Sequence, residues 1–165
     1  MRQMTEKEAM AHLAALCSQA EHCCHEMTEK MRRWELPEDA QARVMEYLTK
    51  HKFVDDERFT RSFANDKIRY NKWGRRKVEQ ALWVKHIDED IRQRVLDDIG
   101  DEVYLDVLRP LLKSKARSVK AADSYELNRK LVRFALGRGF SFDLIRRCIN
   151  ATDDMEDDYD GGIVE

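Results

Sequence analysis

Residues 134–144 read FALGRGFSFDL, and a similar pattern occurs twice earlier, as ALWVKHIDEDI at residues 81–91 and KMRRWELPEDA at residues 30–40. Each copy is the end of an amphipathic helix, a short break before one apolar residue, and the start of a second amphipathic helix. Leu36, Ile87 and Phe140 hold the same place in the three copies. A repeat of about 50 residues is typical of stacked helical units that present a long surface.

The repeat predicts an all-α fold: a tandem array of three three-helix repeats, elongated and curved. The predicted units are residues 4–52, 53–100 and 101–152, followed by an acidic, disordered tail at residues 153–165. No segment shows the alternating pattern of a β-strand. The predicted core consists of apolar or small residues in equivalent places: Met27, Val78 and Leu131; Met31, Leu82 and Ala135; Ala40, Ile91 and Leu144; Val44, Val95 and Cys148.

Two local features refine the nine helices that this pattern predicts. Asp55 precedes two further acids, so it is expected to cap the first helix of the second repeat. Pro110 falls inside a helical pattern, which predicts a kink or an early end there, followed by a polar connection over residues 113–123.

The charge of the chain is divided unevenly. There are 30 basic and 32 acidic residues, but residues 153–165 hold seven of the acids and no base, so the rest of the chain is net positive. The tail can be read as a solubilising segment or as a competitor of nucleic acid for the basic body. No apolar run approaches 18 residues and the first residues do not resemble a secretion signal, so a cytoplasmic protein without membrane spans is expected.

A basic stretch at residues 67–77, KIRYNKWGRRK, is the strongest candidate for a binding surface. It has six bases, two aromatic residues and no acid. Bases neutralise phosphates, an aromatic ring can stack on a nucleobase, and the helix start at residues 74–76 could bind an anion. The alternative is a solvated helix end. The candidate residues are Lys67, Arg69, Tyr70, Lys72, Trp73, Arg75, Arg76 and Lys77.

A second set of bases lies in the third repeat. The two sets could form one long basic stripe, although ordinary surface charge is an equally good explanation. The candidates are Lys113, Lys115, Arg117, Arg129, Lys130, Arg133 and Arg138.

No pattern of residues indicates catalysis, a metal or a cofactor. Cys23 and Cys24 lie between His22 and His25, but the spacing fits no standard zinc motif, and neighbouring helical residues point about 100° apart. Residues 55–57 (DDE) are explained by helix capping more simply than by a metal or acid–base site. The sequence lacks a nucleophile elbow, a zinc-protease motif and a phosphate-cradling loop. A protein that is not an enzyme is therefore predicted.

Several segments resemble the RecX regulatory family. They are VDDERFTRSF at 54–63, GRRKVEQAL at 74–82, KHI at 85–87, RKLVRFA at 129–135 and RGFS at 138–141. The likeness spans residues 4–150, with the first repeat matching only in pattern. It implies tandem three-helix repeats and a monomeric inhibitor that binds the filament of the RecA recombinase on DNA and restrains ATP hydrolysis and strand exchange. The processes implied are DNA repair, recombination and the SOS response, and some family members also bind single- or double-stranded DNA.

The chain departs from the family pattern just before the shared apolar residue. The family has glycine there, whereas this chain has Gly139 in the third copy, His86 in the second and Glu35 in the first. If this position is left-handed, His86→Gly should be neutral or stabilising by about 0.5 kcal/mol or more.

Two other kinds of protein fit the residues as well. One is a nucleic-acid-binding protein whose affinity falls steeply with salt. The other is a helical scaffold for an unrelated protein partner.

Overall fold

A computed structural model describes residues 3–157 and residue 159. These residues form ten helices and no strand, which confirms the all-helical prediction for the described part of the chain. The helices are α1 (Glu6–Gln19), α2 (Cys24–Arg33), α3 (Glu38–Lys50), α4 (Asp56–Arg69), α5 (Arg75–Val84), α6 (Glu89–Asp97), α7 (Asp101–Ser118), α8 (Ser124–Gly137), α9 (Phe142–Arg146) and α10 (Asp153–Asp157).

The described residues divide into two compact units. The first unit contains the residues up to Phe63 together with Leu82–Val95. Within it, α3 packs against both α1 and α2. These helices enclose a core of Ala9, Leu13, Met27, Met31, Leu36, Ala40, Val44, Leu48 and Val54.

The second unit contains Ala64–Ala81 and the described residues from Leu96 onward. Here α8 packs against α7, α9 and α10, and α7 also packs against α9. Its largest fully buried side chains are Ile68, Leu96, Leu105, Leu108, Phe140 and Ile145.

The core residues expected from the repeat are largely buried. Met27, Val78 and Leu131 are at most 3% exposed, and Met31, Leu82 and Ala135 are fully buried. Ile91 and Cys148 are only half-buried, so these two places are less enclosed than predicted.

The turn before the shared apolar residue has the same hydrogen bonds in all three copies. The N–H groups of Leu36, Ile87 and Phe140 donate to the carbonyls of Met31, Leu82 and Ala135, at 3.1, 3.2 and 3.1 Å. This six-to-one bond is that of the Schellman motif, whose preceding residue is left-handed. The φ angles there are 56° for Glu35, 58° for His86 and 93° for Gly139. The position is therefore left-handed in all three copies, which is the condition on which the His86→Gly prediction depends.

Glycine at position 35 should stabilise the first unit. A residue with a Cβ costs about 1 kcal/mol in this conformation, and glycine's extra freedom in the unfolded chain offsets part of the gain. We expect Glu35→Gly to raise the free energy of unfolding by about 0.5 kcal/mol relative to Glu35→Ala, which keeps the strain. Urea denaturation of the two variants measures the difference, and equal stabilities would contradict it. His86→Gly is a less clean test because the His86 ring stacks on His25 at 3.9 Å between centroids.

Helix α7 differs from its expected course. It continues through Pro110 to Ser118, so the predicted early end is wrong. A proline inside a helix removes one backbone hydrogen bond and its ring crowds the carbonyl four residues earlier. The buried residues on both sides of Pro110 offset this local cost and hold the helix in place. These include Leu108 and Leu112. Lys113, Lys115 and Arg117 consequently lie on a helix rather than in a polar connection.

The beginning of the acidic tail is ordered. Residues Asp153–Asp157 form α10, and Met155 is 2% exposed. Arg146 contacts the Asp153 carboxylate at 3.2 Å, and the Tyr125 hydroxyl donates to Asp154. The predicted disorder is therefore wrong for residues 153–157, because one buried methionine and two polar contacts fix them. Residues 158 and 160–165 lie outside the described part of the chain.

The acidic triplet at residues 55–57 has structural contacts. The Arg58 N–H donates to Asp55 Oδ1 at 3.0 Å, which confirms the predicted cap. Asp56 Oδ1 accepts from the Cys24 N–H at 2.8 Å, at the start of α2. Capping by Asp55 is as expected. The Asp56 contact with α2 and the ion pairs of Glu57 with Arg61 and Arg94 were not predicted.

Glu57 should make stability depend on acid pH. Hydrogen bonds from Arg94 and Arg61 lower its carboxyl pKa below the usual 4.5. A lowered folded-state pKa contributes stability that is present above the unfolded pKa and is lost as pH falls through the folded one. We expect the difference in urea midpoint between the wild type and Glu57→Gln to be largest above pH 5 and to shrink below pH ~4.5. A difference that does not change between pH 7 and 3 would contradict this.

Candidate nucleic-acid interface

Two turns that are far apart in sequence meet in the second unit. The turn between α4 and α5 lies against the turn between α8 and α9. The Gly74 N–H donates to the Arg138 carbonyl at 2.8 Å, and the Arg76 N–H donates to the Gly139 carbonyl at 3.1 Å. A Cβ built on Gly74 would lie 2.3 Å from the Phe140 nitrogen, so the two backbones are in direct contact. This contact places Arg138, from the second predicted set of bases, beside the first set.

The same contact removes the predicted anion site at the start of α5. That prediction needed free N–H groups at residues 74–76. The N–H groups of Gly74 and Arg76 are instead bonded to backbone carbonyls of the other turn. The prediction is therefore wrong for these two donors.

Several of the predicted contact residues already have contacts within the chain. Lys77 is only 6% exposed, and its ammonium lies 4.9 Å from the centre of the Trp73 ring. The Lys67 ammonium lies 5.1 Å from that ring, so two cations already contact Trp73. Arg75 contacts the Asp97 carboxylate at 2.7 Å. Arg76 Nη2 donates to the Leu136 carbonyl at 3.0 Å.

Arg138 connects the α4–α5 turn to Phe134 of α8. Its Nη1 donates to the Asn71 carbonyl at 3.0 Å, and its guanidinium lies 5.2 Å from the centre of the Phe134 ring. The Lys115 ammonium of α7 lies 4.9 Å from the same ring. Phe134 therefore holds cations from two helices close together.

The exposed bases around this point form a continuous patch with Tyr70. Arg69, Lys72 and Lys115 are exposed, and the Lys72 ammonium donates to the Arg69 carbonyl at 2.6 Å. Tyr70 is 76% exposed. We call this patch the basic turn surface and define it as Arg69, Tyr70, Lys72, Lys115, Phe134 and Arg138.

The remaining candidates lie on α7 and α8. Lys113, Arg117 and Arg133 are exposed, and Arg129 is half-buried. Lys130 pairs with Glu126 at 3.1 Å and donates to the Lys120 carbonyl. A binding role for these residues stays a prediction.

Phe134 is the residue of this surface that sequence reasoning missed. With Leu127 and Leu131 it belongs to an apolar pattern that predicts a helix, and it is not among the candidate binding residues. The spacing in the sequence could have identified it, because Phe134 and Arg138 are four residues apart and therefore share a helix face.

A cavity of about 430 Å³ lies in the second unit. Its lining includes Arg76, Glu79, Tyr104, Phe140 and Tyr159. Burial raises the pKa of the Tyr104 phenol to about 12, so the hydroxyl remains protonated at neutral pH. The Tyr104 hydroxyl can therefore donate a hydrogen bond.

The described residues contain no group of three His, Cys, Asp or Glu side chains that could hold a metal ion. The four cysteines are unpaired thiols. Burial raises the pKa of Cys23 to about 11 and that of Cys24 to about 12, so neither is a ready thiolate ligand. Among the described residues, no helix has the length and apolar character to cross a membrane.

Two family models match this chain. The second three-helix domain of RecX matches residues 55–96, and the third three-helix domain of RecX matches residues 102–149. Together they cover more than half of the sequence. The chain belongs to the RecX family, and its fold is a tandem array of helical repeats.

Individual relatives agree with this assignment. The regulatory protein RecX of Clostridium perfringens strain 13 is 30% identical over 131 residues, which is 76% of this chain and 61% of that relative. The chain thus spans about three fifths of the length of that clostridial protein. The regulatory protein RecX of Chlorobium limicola is 29% identical over 151 residues, covering 90% of this chain and 92% of the relative. These relatives are named as regulators and not as enzymes.

A solved structure shows the same fold. The crystal structure of RecX from Lactobacillus salivarius superposes with a TM-score of 0.79 at 18% identity. The superposition covers 87% of this chain and 93% of that structure.

Proposed function

We propose that this protein inhibits the RecA recombinase by binding the RecA–DNA filament and restraining ATP hydrolysis and strand exchange. The observation that carries the proposal is membership of the RecX family over both of the matched three-helix domains. The protein would act in DNA repair and recombination as a cytoplasmic monomer without a cofactor. Its repeats at residues 4–52, 53–100 and 101–152 would be the units that lie along the filament.

The basic turn surface supports contact with the DNA of the filament. Arg69, Lys72 and Lys115 are exposed cations that can neutralise phosphates. Because Asn71 and Phe134 hold Arg138 in position, little side-chain freedom is lost at that residue on binding. The surface offers no catalytic group, which fits a regulator that acts by binding.

A second candidate function is direct binding of nucleic acid without the recombinase. It is favoured by Tyr70, whose ring is 76% exposed between two exposed bases. An exposed aromatic ring among cations is the combination that binds single strands by stacking and phosphate contact.

The test is RecA ATP hydrolysis on single-stranded DNA, with this protein titrated from substoichiometric amounts to excess. Strong inhibition well below one molecule per recombinase supports filament modulation, because simple competition for DNA needs enough protein to cover the strand. Absence of inhibition in excess, with DNA binding retained, would replace the proposal by the second candidate. Absence of both activities would leave a scaffold for another protein partner.

A further inference from the structure

The end of α5 in the first unit exposes two large apolar side chains next to each other. Trp83 is 67% exposed and Val84 is 61% exposed. They line a surface groove with His86, Ile87, Asp88, Glu89 and Arg92, and we call it the Trp83 groove. Single exposed apolar residues are common, but adjacent ones in a groove mark candidate interaction sites.

The repeat itself does not require apolar residues at these two places. Since Met31 and Leu82 are equivalent, Trp83 and Val84 correspond to Arg32 and Arg33 of the first copy. Both arginines are exposed. The third copy has Leu136 and Gly137 at these places, and both are buried. The three-helix architecture therefore accepts either charged or packed residues there, and at 67% exposure Trp83 is not placed by packing within the chain.

The charges around the groove are mainly acidic. Asp88, Glu89 and Asp90 are exposed at the start of α6. Two bases lie nearby. Lys85 pairs with Glu26 at 3.2 Å, whereas Arg92, which lines the groove, donates from Nη1 to the neutral Ile87 carbonyl at 2.6 Å and keeps its positive charge. Three carboxylates against one guanidinium leave the surroundings of the groove net negative, opposite to the charge of the basic turn surface.

We infer that the Trp83 groove is a protein-docking site for a basic segment that also carries an apolar side chain. A lysine or arginine of the partner would lie over the Trp83 indole and pair with the carboxylates of α6. Its apolar side chain would cover Val84. Nucleic acid is a poor occupant because its phosphates would meet three carboxylates. The inference rests on the proposed function and names this groove as a surface that contacts the protein part of the RecA–DNA filament.

The principal variant is Trp83→Arg with Val84→Arg, which introduces the residues of the first copy. A matched control is Gln19→Arg with Ala20→Arg, which adds the same two charges at exposed positions of the first unit. A second variant, Glu89→Gln with Asp90→Asn, removes acidic charge and leaves the apolar residues in place. Circular dichroism and thermal melting check that all three remain folded.

Binding is measured twice for each protein: to RecA filaments assembled on single-stranded DNA, and to the same DNA without RecA. We expect Trp83→Arg/Val84→Arg to weaken filament binding at least about tenfold, as for loss of a central interface aromatic, and the acid-removal variant to weaken it about threefold or more. The control should stay within about twofold of the wild type, and no groove variant should bind bare DNA more weakly.

Filament binding within twofold of the wild type in both folded groove variants would overturn the inference while leaving the proposed function intact. A wild-type protein that fails to bind the filament would overturn the proposed function and, with it, this assignment of the partner. An equal loss in the groove variant and its control would also overturn the inference, because added charge alone would then be the cause.

Discussion

Gly74→Ala is expected to lower the free energy of unfolding by about 3 kcal/mol and the melting temperature by about 6–12 °C. The added Cβ would lie 2.3 Å from the Phe140 nitrogen and 2.4 Å from the Gly139 carbonyl carbon. Both neighbours are backbone atoms, so no side-chain rotation relieves the overlap. The two turns must separate, which also weakens the bond from the Gly74 N–H to the Arg138 carbonyl.

Gly100→Ala is the matched control for this prediction. A Cβ at Gly100 meets no heavy atom within 4 Å, and its φ of −74° suits any residue. Its effect should stay within about 1 kcal/mol, the scale of a change at a helix cap. A melting temperature for Gly74→Ala within 2 °C of that for Gly100→Ala would show that the two turns do not pack as described.

Neutralising the exposed cations of the basic turn surface is expected to weaken binding of single-stranded DNA on the order of 50-fold near physiological salt. The variant is Arg69→Gln with Lys72→Gln and Lys115→Gln. Three lost phosphate contacts should also reduce the slope of log affinity against log salt by about 2, since each contact on a single strand contributes about 0.7. Fluorescence anisotropy at several salt concentrations measures both quantities.

Three exposed bases of the first unit provide the control. Lys7→Gln with Arg33→Gln and Lys50→Gln removes the same charge and should change affinity and slope much less. Equal losses in the two triple variants would contradict a defined surface and indicate a general charge effect. Arg75, Arg76 and Lys77 are unsuitable for this purpose, because their structural contacts would confuse binding with folding.

The helices and the core could be predicted because they depend on local pattern. The spacing of Met27, Met31 and Leu36, repeated in the other copies, was sufficient to assign buried positions. The cap at Asp55 was predictable for the same reason, since a carboxylate and the N–H three residues later are neighbours in sequence. Pro110 misled the prediction because burial on both sides of a proline outweighs its local cost.

The sequence predicted which residues could make up the candidate site, but not which of them are exposed together. The sequence identified the bases of residues 67–77 but could not separate exposed Arg69 and Lys72 from buried Lys77. That division depends on which side of the turn lies against residues 138–140, a contact between segments more than 60 residues apart. The role of Phe134 as a shared contact of Lys115 and Arg138 depends on the packing of α7 against α8.

The sequence by itself therefore determined the helical repeat and most of its buried positions, because these follow from the spacing of apolar residues along each helix and from the recurrence of one pattern. It located the turn before the shared apolar residue, but only the structure showed that Glu35, His86 and Gly139 are left-handed there. Tertiary structure alone decided which cations are exposed. It also decided which backbone N–H groups at the start of α5 already donate to carbonyls of the other turn. It also ordered residues 153–157 through Met155. The physical reason is that charge and composition are local properties, whereas desolvation and hydrogen-bond occupancy are set by distant segments that pack together.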